Sequence, residues 1–182
     1  GLSIVQSLVG QMGGSITFHS EENVGTEFVV TLPLTVDDTP QAVRRETVDA
    51  AAVDLSGINI LLAEDNELNM EIAQFFLERH GAAVTPAKNG AEAVELFLTS
   101  APGHFDVILM DVMMPVLSGY DATGVIRRAQ RPDAATVPII AMSANAFQDD
   151  IRKSRAVGMN DHLPKPVSTE KLLRTVARYL KR

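Results

Sequence analysis

The short apolar run Phe105-Asp106-Val107-Ile108-Leu109-Met110 closes on Asp111 and is followed by Val112-Met113-Met114-Pro115-Val116-Leu117-Ser118-Gly119. Six residues of this composition read as a strand, and Pro115 with Ser118-Gly119 marks the turn beyond it. Asp111 is thereby a carboxylate at a strand's carboxyl end. Whether that position carries chemistry depends on what the neighbouring strands place beside it.

Working outward, similar apolar runs recur at Ile58 to Ala63, Ala82 to Ala87, Val137 to Met142 and, briefly, Asp161 to Leu163. Helical patterns fill the spaces: about Glu67 to His80, Ala91 to Leu98, Tyr120 to Ala129, Phe147 to Val157 and Ser168 to Leu180. Strands alternating with helices are the pattern of βαβ units, which build a parallel sheet with helices on both faces. Gly81 and Gly158 stand where helices stop, and Ser168-Thr169-Glu170 can cap the last one. Pro86 makes its strand an edge, because proline cannot donate to a central ladder. Right-handed crossovers then predict the strand order 2-1-3-4-5, counted from Ile58 to Ala63. In such a sheet ligands sit at the carboxyl ends of the strands, near the switch between strands 1 and 3.

Composition narrows the chemistry. The 182 residues carry 16 Lys plus Arg against 23 Asp plus Glu, a net charge of −7, with 46% hydrophobic content. The chain is too apolar to be disordered, and its apolar runs fall far short of the roughly 18 residues a membrane helix needs. No segment reads as a signal peptide, which predicts a soluble, cytoplasmic fragment without membrane contact. The absence of cysteine excludes disulfides, thiolate metal sites and cysteine nucleophiles. His19, His80, His104 and His162 share no metal-ligand spacing. The basic groups Arg127, Arg128, Arg131 and Arg152, Lys153, Arg155 lack interleaved aromatics, so no direct nucleic-acid binding is expected. Residues 1 to 57 hold 2 basic and 8 acidic side chains, whereas 58 to 182 hold 14 and 15, so the two parts are different objects. Between them, residues 36 to 57, acidic and marked by Pro40, read as a linker.

At the predicted rim, strand 1 ends in Glu64-Asp65, strand 3 in Asp111 and strand 4 in Ser143, and Lys165-Pro166 follows the fifth. Three carboxylates together repel one another unless a hard cation sits among them, and Mg²⁺ suits such an oxygen site. A carboxylate can also be a nucleophile toward phosphorus, after which a metal, an ammonium and a hydroxyl hold the phosphoryl oxygens. Each residue alone is an ordinary turn, cap or surface residue; their joint placement is what points to a site.

These residues bring residues 58 to 182 close to a family. Leu62-Ala63-Glu64-Asp65-Asn66-Glu67-Leu68-Asn69, the Asp106 to Pro115 segment, Pro138-Ile139-Ile140-Ala141-Met142-Ser143-Ala144 and Leu163-Pro164-Lys165-Pro166 closely resemble the motifs of the receiver domain of two-component response regulators. The resemblance implies a flavodoxin-like receiver fold and a phosphoacceptor role for Asp111. It implies Mg²⁺ held by Asp65 directly, Glu64 largely through water, Asp111 and the Met113 carbonyl. Ser143, the Ala144 backbone and Lys165 would bind the phosphoryl group, and Lys165-Pro166 would be cis. The switch position, often Tyr or Phe in the family, is His162. Met113, two residues past the acceptor, offers no amide or acid to orient an attacking water, which implies a fairly long-lived phosphoryl group.

Gly1 to Thr17 reads as helix, glycine stop and strand, and Gly25 to Leu34 as a second strand. The stretch resembles the C-terminal end of the ATP-binding domain of sensor histidine kinases; about 35 residues are too few to fold stably alone. It lacks the adenine and metal-chelating motifs and the histidine helix, so catalysis by this fragment is limited to its own phosphorylation and dephosphorylation. Kinase tail (1–35), linker (36–57) and receiver (58–182) make the order of a hybrid sensor histidine kinase. The implied partners are a histidine kinase or histidine phosphotransfer domain. The orphaned apolar faces of residues 1 to 35 pack on the receiver or on a second copy in a homodimer, two options left open. With no effector domain after Arg182, output is expected through phosphorelay, docking or feedback on the kinase.

Alternatives are a free-standing response regulator, an aspartyl-nucleophile phosphatase of the haloacid dehalogenase type and a flavodoxin-like electron carrier. The phosphatase usually needs an acid where Met113 stands, and Glu64-Asp65 would repel the phosphate an electron carrier must cradle. On the helix Glu67 to His80, polar Glu71, Gln74 and Glu78 occupy one narrow side, leaving an apolar arc of roughly 220°. Ile72, Ala73 and Phe76 are expected to face the sheet, with Leu68 and Phe75 on the rim as docking candidates or packed on the last helix.

Overall fold

The computed structural model describes residues 2–22, 25–34, 53–144 and 148–180. The chain divides into two compact units, Gly1–Arg45 and Glu46–Arg182.

In the first unit, helix α1 (Leu2–Gln11) leads into the antiparallel strands β1 (Ser15–Glu21) and β2 (Gly25–Thr31), with Phe18 opposite Phe28. The helix ends as its glycines dictate. Gly13 takes φ +72°, and the Gly14 N–H bonds the Val9 carbonyl at 2.9 Å. Phe18, Phe28, Val29 and Val30 stay exposed, as a two-stranded sheet has no second layer to bury them.

The second unit contains β3 (Asn59–Ala63), α2 (Glu67–Arg79), β4 (Ala83–Ala87), α3 (Gly90–Thr99), β5 (Val107–Asp111), α4 (Gly119–Arg128), β6 (Ile139–Ser143), α5 (Gln148–Ala156), β7 (Asp161–Pro164) and α6 (Thr169–Tyr179). The five strands are all parallel and run β4-β3-β5-β6-β7, the order expected from the sequence. Pro86 lies on the edge strand β4, opposite Leu62. Gly81 and Gly158 adopt φ +94° and +96°, and the Ser168 side chain caps α6.

Alternation along the buried strands splits the core in two. Leu61, Ala63, Ile108, Met110, Ile139 and Ala141 face α3 and α4, meeting Phe97 and Ile126. Ile60, Leu62, Val107, Leu109, Ile140 and Met142 face α2 and α6, meeting Leu77, Leu173 and Val176. Val53 and Leu55 are buried in this second layer, so the packed unit begins within the stretch read as linker. Replacing Leu109, fully buried at the sheet centre, by Ala would cost about 2–5 kcal/mol.

One helix departs from expectation. In α2 the buried residues are Met70 and Leu77, with Ala73 packed partly against the same layer, whereas Ile72 is exposed. An apolar arc wider than a sheet can cover leaves the docking angle undecided by pattern alone, and packing chose the Met70–Ala73–Leu77 line. The predicted helix start at Phe147 lies outside the described residues.

Candidate functional site

All of the polar groups expected at the carboxyl rim converge there. β3 ends immediately before Glu64 and Asp65, and β5 ends in Asp111 beside it, because Ala63 pairs with Met110. One carboxylate oxygen from each of Glu64, Asp65 and Asp111 lies within 4.8 Å of the others. Glu64 and Asp111 are each only 4% exposed, whereas Asp65 opens to solvent. From across the sheet, the Lys165 ammonium donates to Glu64 Oε2 at 2.5 Å and to Asp111 Oδ2 at 2.6 Å. The Lys165-Pro166 bond is cis, as the resemblance implied.

These contacts set the electrostatics. Burial pushes the Asp111 carboxyl up from its ordinary value, against the downward pull of the Lys165 ammonium and the Met113 N–H, which donates to Oδ1 at 3.1 Å. Burial alone would pull Lys165 down, but its hydrogen bonds and charge interactions with Asp111 and Glu64 outweigh it and hold the ammonium above its ordinary value. One cation among three carboxylates leaves net negative charge concentrated at a single point, which favours a hard divalent ion. The oxygens of Glu64, Asp65 and Asp111 fit Mg²⁺, a cation that prefers carboxylates and water.

The loop after β5 is shaped by close approach. A Cβ on Gly119 would stand 2.0 Å from the Asp111 carbonyl oxygen, so only glycine lets α4 begin against the end of β5. Val116 takes φ +67°, rare for a β-branched residue, as the Leu117 N–H folds back onto the Pro115 carbonyl at 2.7 Å. Met113 and Val116 are consequently exposed on this loop.

Ser143 ends β6 and is buried; its Oγ lies 3.0 Å from His162 Nε2 on β7, and its carbonyl accepts from the Lys165 N–H at 2.7 Å. Ala144, exposed, follows at once. Leu68 and Phe75 on α2 are 64% and 57% exposed. Beside them a groove between α2 and α6 is lined by Ile72, Ala73, Phe76, Val167 and Leu172, with Glu64 and Lys165 at one end.

Sequence reasoning assigned no role to Asn69, whose side-chain amide donates to Glu64 Oε1 at 3.0 Å. Its signal was its place one turn into α2, where Asn66 as N-cap aims the first turn at the rim. Two of the basic residues counted as a surface group are structural: Arg127 spans the Gly158 and Ala134 carbonyls and Asn160, and Arg131 grips Asp133 and lies over the Phe97 ring.

With the geometry in place, comparison with known proteins is direct. Residues 60–177 match the response regulator receiver domain family. The aerobic respiration control sensor protein ArcB of Escherichia coli is 33% identical over 182 residues, 98% of this chain and 22% of that protein. The peroxide stress-activated histidine kinase Mak1 of Schizosaccharomyces pombe is 36% identical over 118 residues, 64% of this chain and 7% of that one. The chain thus spans less than a quarter of the length of either of these relatives. Among solved structures, the receiver domain of sensor histidine kinase PA1611 from Pseudomonas aeruginosa, with magnesium in its active site cleft, is 40% identical with a TM-score of 0.61, covering 68% of this chain and 98% of that one. The receiver domain of Ssk1 bound to the histidine phosphotransfer protein Ypd1, from Saccharomyces cerevisiae, is 36% identical with a TM-score of 0.59, covering 67% and 88%. Among the described residues no helix is long and apolar enough to cross a membrane. A five-stranded parallel sheet of this order, an acidic pair beside a buried aspartate and a lysine reaching both place the chain in the response regulator receiver domain family.

Proposed function

We propose that Asp111 is the phosphoacceptor of this receiver, and that the chain is a piece of a hybrid sensor histidine kinase. The observation that carries the first part is the Asp111 carboxylate itself: buried at the end of the central strand, oriented by the Met113 N–H and reached by the Lys165 ammonium. A nucleophile so held needs no further reorganisation to meet phosphorus in line. One Asp111 oxygen forms the new P–O bond as the P–N bond of a phosphohistidine breaks, and the departing imidazole keeps the electron pair and takes up a proton. Lys165 then turns from the carboxylates to the transferred group, and the Ser143 hydroxyl and Ala144 N–H donate to its remaining oxygens. Mg²⁺, held by Glu64, Asp65, Asp111 and the Met113 carbonyl, would supply charge neutralisation of the phosphoryl oxygens.

The hybrid origin is supported by the order of units and by a likeness to ArcB that runs through residues 1–57 as well as the receiver. In this reading residues 1–35 are the end of an ATP-binding domain, and the exposed Phe18, Phe28, Val29 and Val30 are covered by the rest of it. The donor or recipient of the phosphoryl group is a histidine kinase or histidine phosphotransfer domain, as in the Ypd1–Ssk1 pair. Intact-mass measurement after incubation with acetyl phosphate and Mg²⁺ tests the acceptor. One phosphoryl adduct is expected on the parent chain and none on Asp111→Asn; equal labelling of both would sink the assignment.

A further inference from the structure

His162 stands in direct hydrogen-bond contact with the hydroxyl that the proposed chemistry needs. Its Nε2 lies 3.0 Å from Ser143 Oγ, and its Nδ1 is buried without a hydrogen-bond partner. Those two observations select a protonation state. With the proton on Nδ1, a buried N–H would lack an acceptor and the Ser143 O–H would point at Nε2, away from Asp111. With the proton on Nε2, the ring donates to Oγ and leaves Nδ1 as a bare lone pair, the less costly orphan.

We infer that His162 is a positioning residue for phosphotransfer: its Nε2–H donates to Ser143 Oγ and turns the hydroxyl proton toward the phosphoryl oxygen on Asp111. The inference rests on the reading of Asp111 as phosphoacceptor. A hydroxyl that accepts from one side and donates on the other is polarised, so the two bonds reinforce each other. The strand carrying His162 packs against β6, α5 and α6. β6 presents the neutral Ser143; from α5, Arg155 shares a small cleft with His162 and Asp161. Asp161 is committed elsewhere, accepting from the His162 backbone N–H at 2.8 Å and from Arg178 of α6 at 2.9 Å.

The test compares the parent with His162→Gln, whose side-chain amide keeps a donor that does not titrate, and His162→Phe, which keeps a ring without a donor. Labelling by acetyl phosphate and Mg²⁺ is followed by intact mass. The Phe variant should label about fivefold more slowly at about pH 8, the equivalent of one neutral hydrogen bond, while Gln restores the parent rate. Gln and Phe behaving alike would overturn the inference while leaving Asp111 as acceptor. Absence of any adduct on the parent would overturn both. In the unaltered protein, nitrogen NMR of the His162 ring should show the proton on Nε2; finding it on Nδ1 refutes the assignment whatever the variants do.

Discussion

The Lys165 ammonium lies between Glu64 and Asp111, 2.5 Å from one carboxylate and 2.6 Å from the other. It occupies the charge balance that a metal ion and a phosphoryl group would otherwise share, so the two partners of the site respond oppositely to its removal. In Lys165→Gln, Mg²⁺ affinity should rise by about tenfold as a competing cation is lost. Labelling by acetyl phosphate should fall by about a hundredfold, because the ammonium no longer meets the transferred group. Titration calorimetry and mass spectrometry read the two effects separately. Parallel loss of both would mean that Lys165 holds the fold rather than the chemistry.

Asp65→Ala should do the reverse to the metal. Asp65 is exposed and belongs to the three-carboxylate cluster, so its loss removes a ligand without disturbing the packed layers. Mg²⁺ binding should weaken by about tenfold or more while the melting temperature of the metal-free protein stays within a few degrees of the parent. Unchanged Mg²⁺ affinity would show that the cation is held elsewhere.

Arg131 and Asp133 fasten the loop between α3 and β5 to the loop before β6. Arg131 grips Asp133 with both faces of its fork at 2.7 and 2.8 Å, reaches the carbonyls of Phe97, Ser100 and Ala101, and lies 4.2 Å above the Phe97 ring. Arg131→Lys keeps the charge but not the fork, and should cost about 1–3 kcal/mol in denaturant unfolding. The Arg131 hydrogen bonds, aided by the Gly103 N–H and opposed by burial, hold the Asp133 carboxyl at about 2 against an ordinary 3.8. Because the folded value is the lower one, this contribution is complete above the ordinary value and is lost as pH falls from there toward the folded one. Asp133→Asn should therefore flatten the acid dependence of stability in that window. An unchanged acid limb would show that Asp133 is not so held.

What could be read from the sequence and what could not follow one physical division. Strand order and the rim were legible because each depends on local signals: an apolar run that stops at Asp111, a proline at position 86 that forbids a central strand, a serine and a lysine just past their strands. The Asn69–Glu64, His162–Ser143 and Arg131–Asp133 contacts were not. Each joins a side chain with several rotamers to a partner whose position is fixed only by packing, and nothing in local spacing distinguishes Arg131 from a solvated arginine. Ile72 was misplaced for the related reason that α2 offers more apolar surface than the sheet can cover.

That surplus carries the last prediction. Leu68, Ile72 and Phe75 are exposed on α2, the helix whose first turn meets the carboxylates through the Asn69–Glu64 hydrogen bond. Scattered exposed apolar residues need no explanation, but several on one helix that leads up to a reactive group can exclude water from whatever docks there. A helix presenting a histidine would lie with its apolar side on Leu68 and Phe75 and its imidazole over Asp111. Leu68→Asp should slow phosphotransfer from a histidine phosphotransfer protein by about tenfold, through lost apolar contact and an added like charge beside Glu64 and Asp65. Labelling by acetyl phosphate, which needs no docking surface, should be unchanged, and Leu68→Met should transfer at the parent rate. Equal loss of both activities in Leu68→Asp would show instead that the acidic substitution disturbs the site directly, and a transfer rate unaffected by it would place the docking face away from α2.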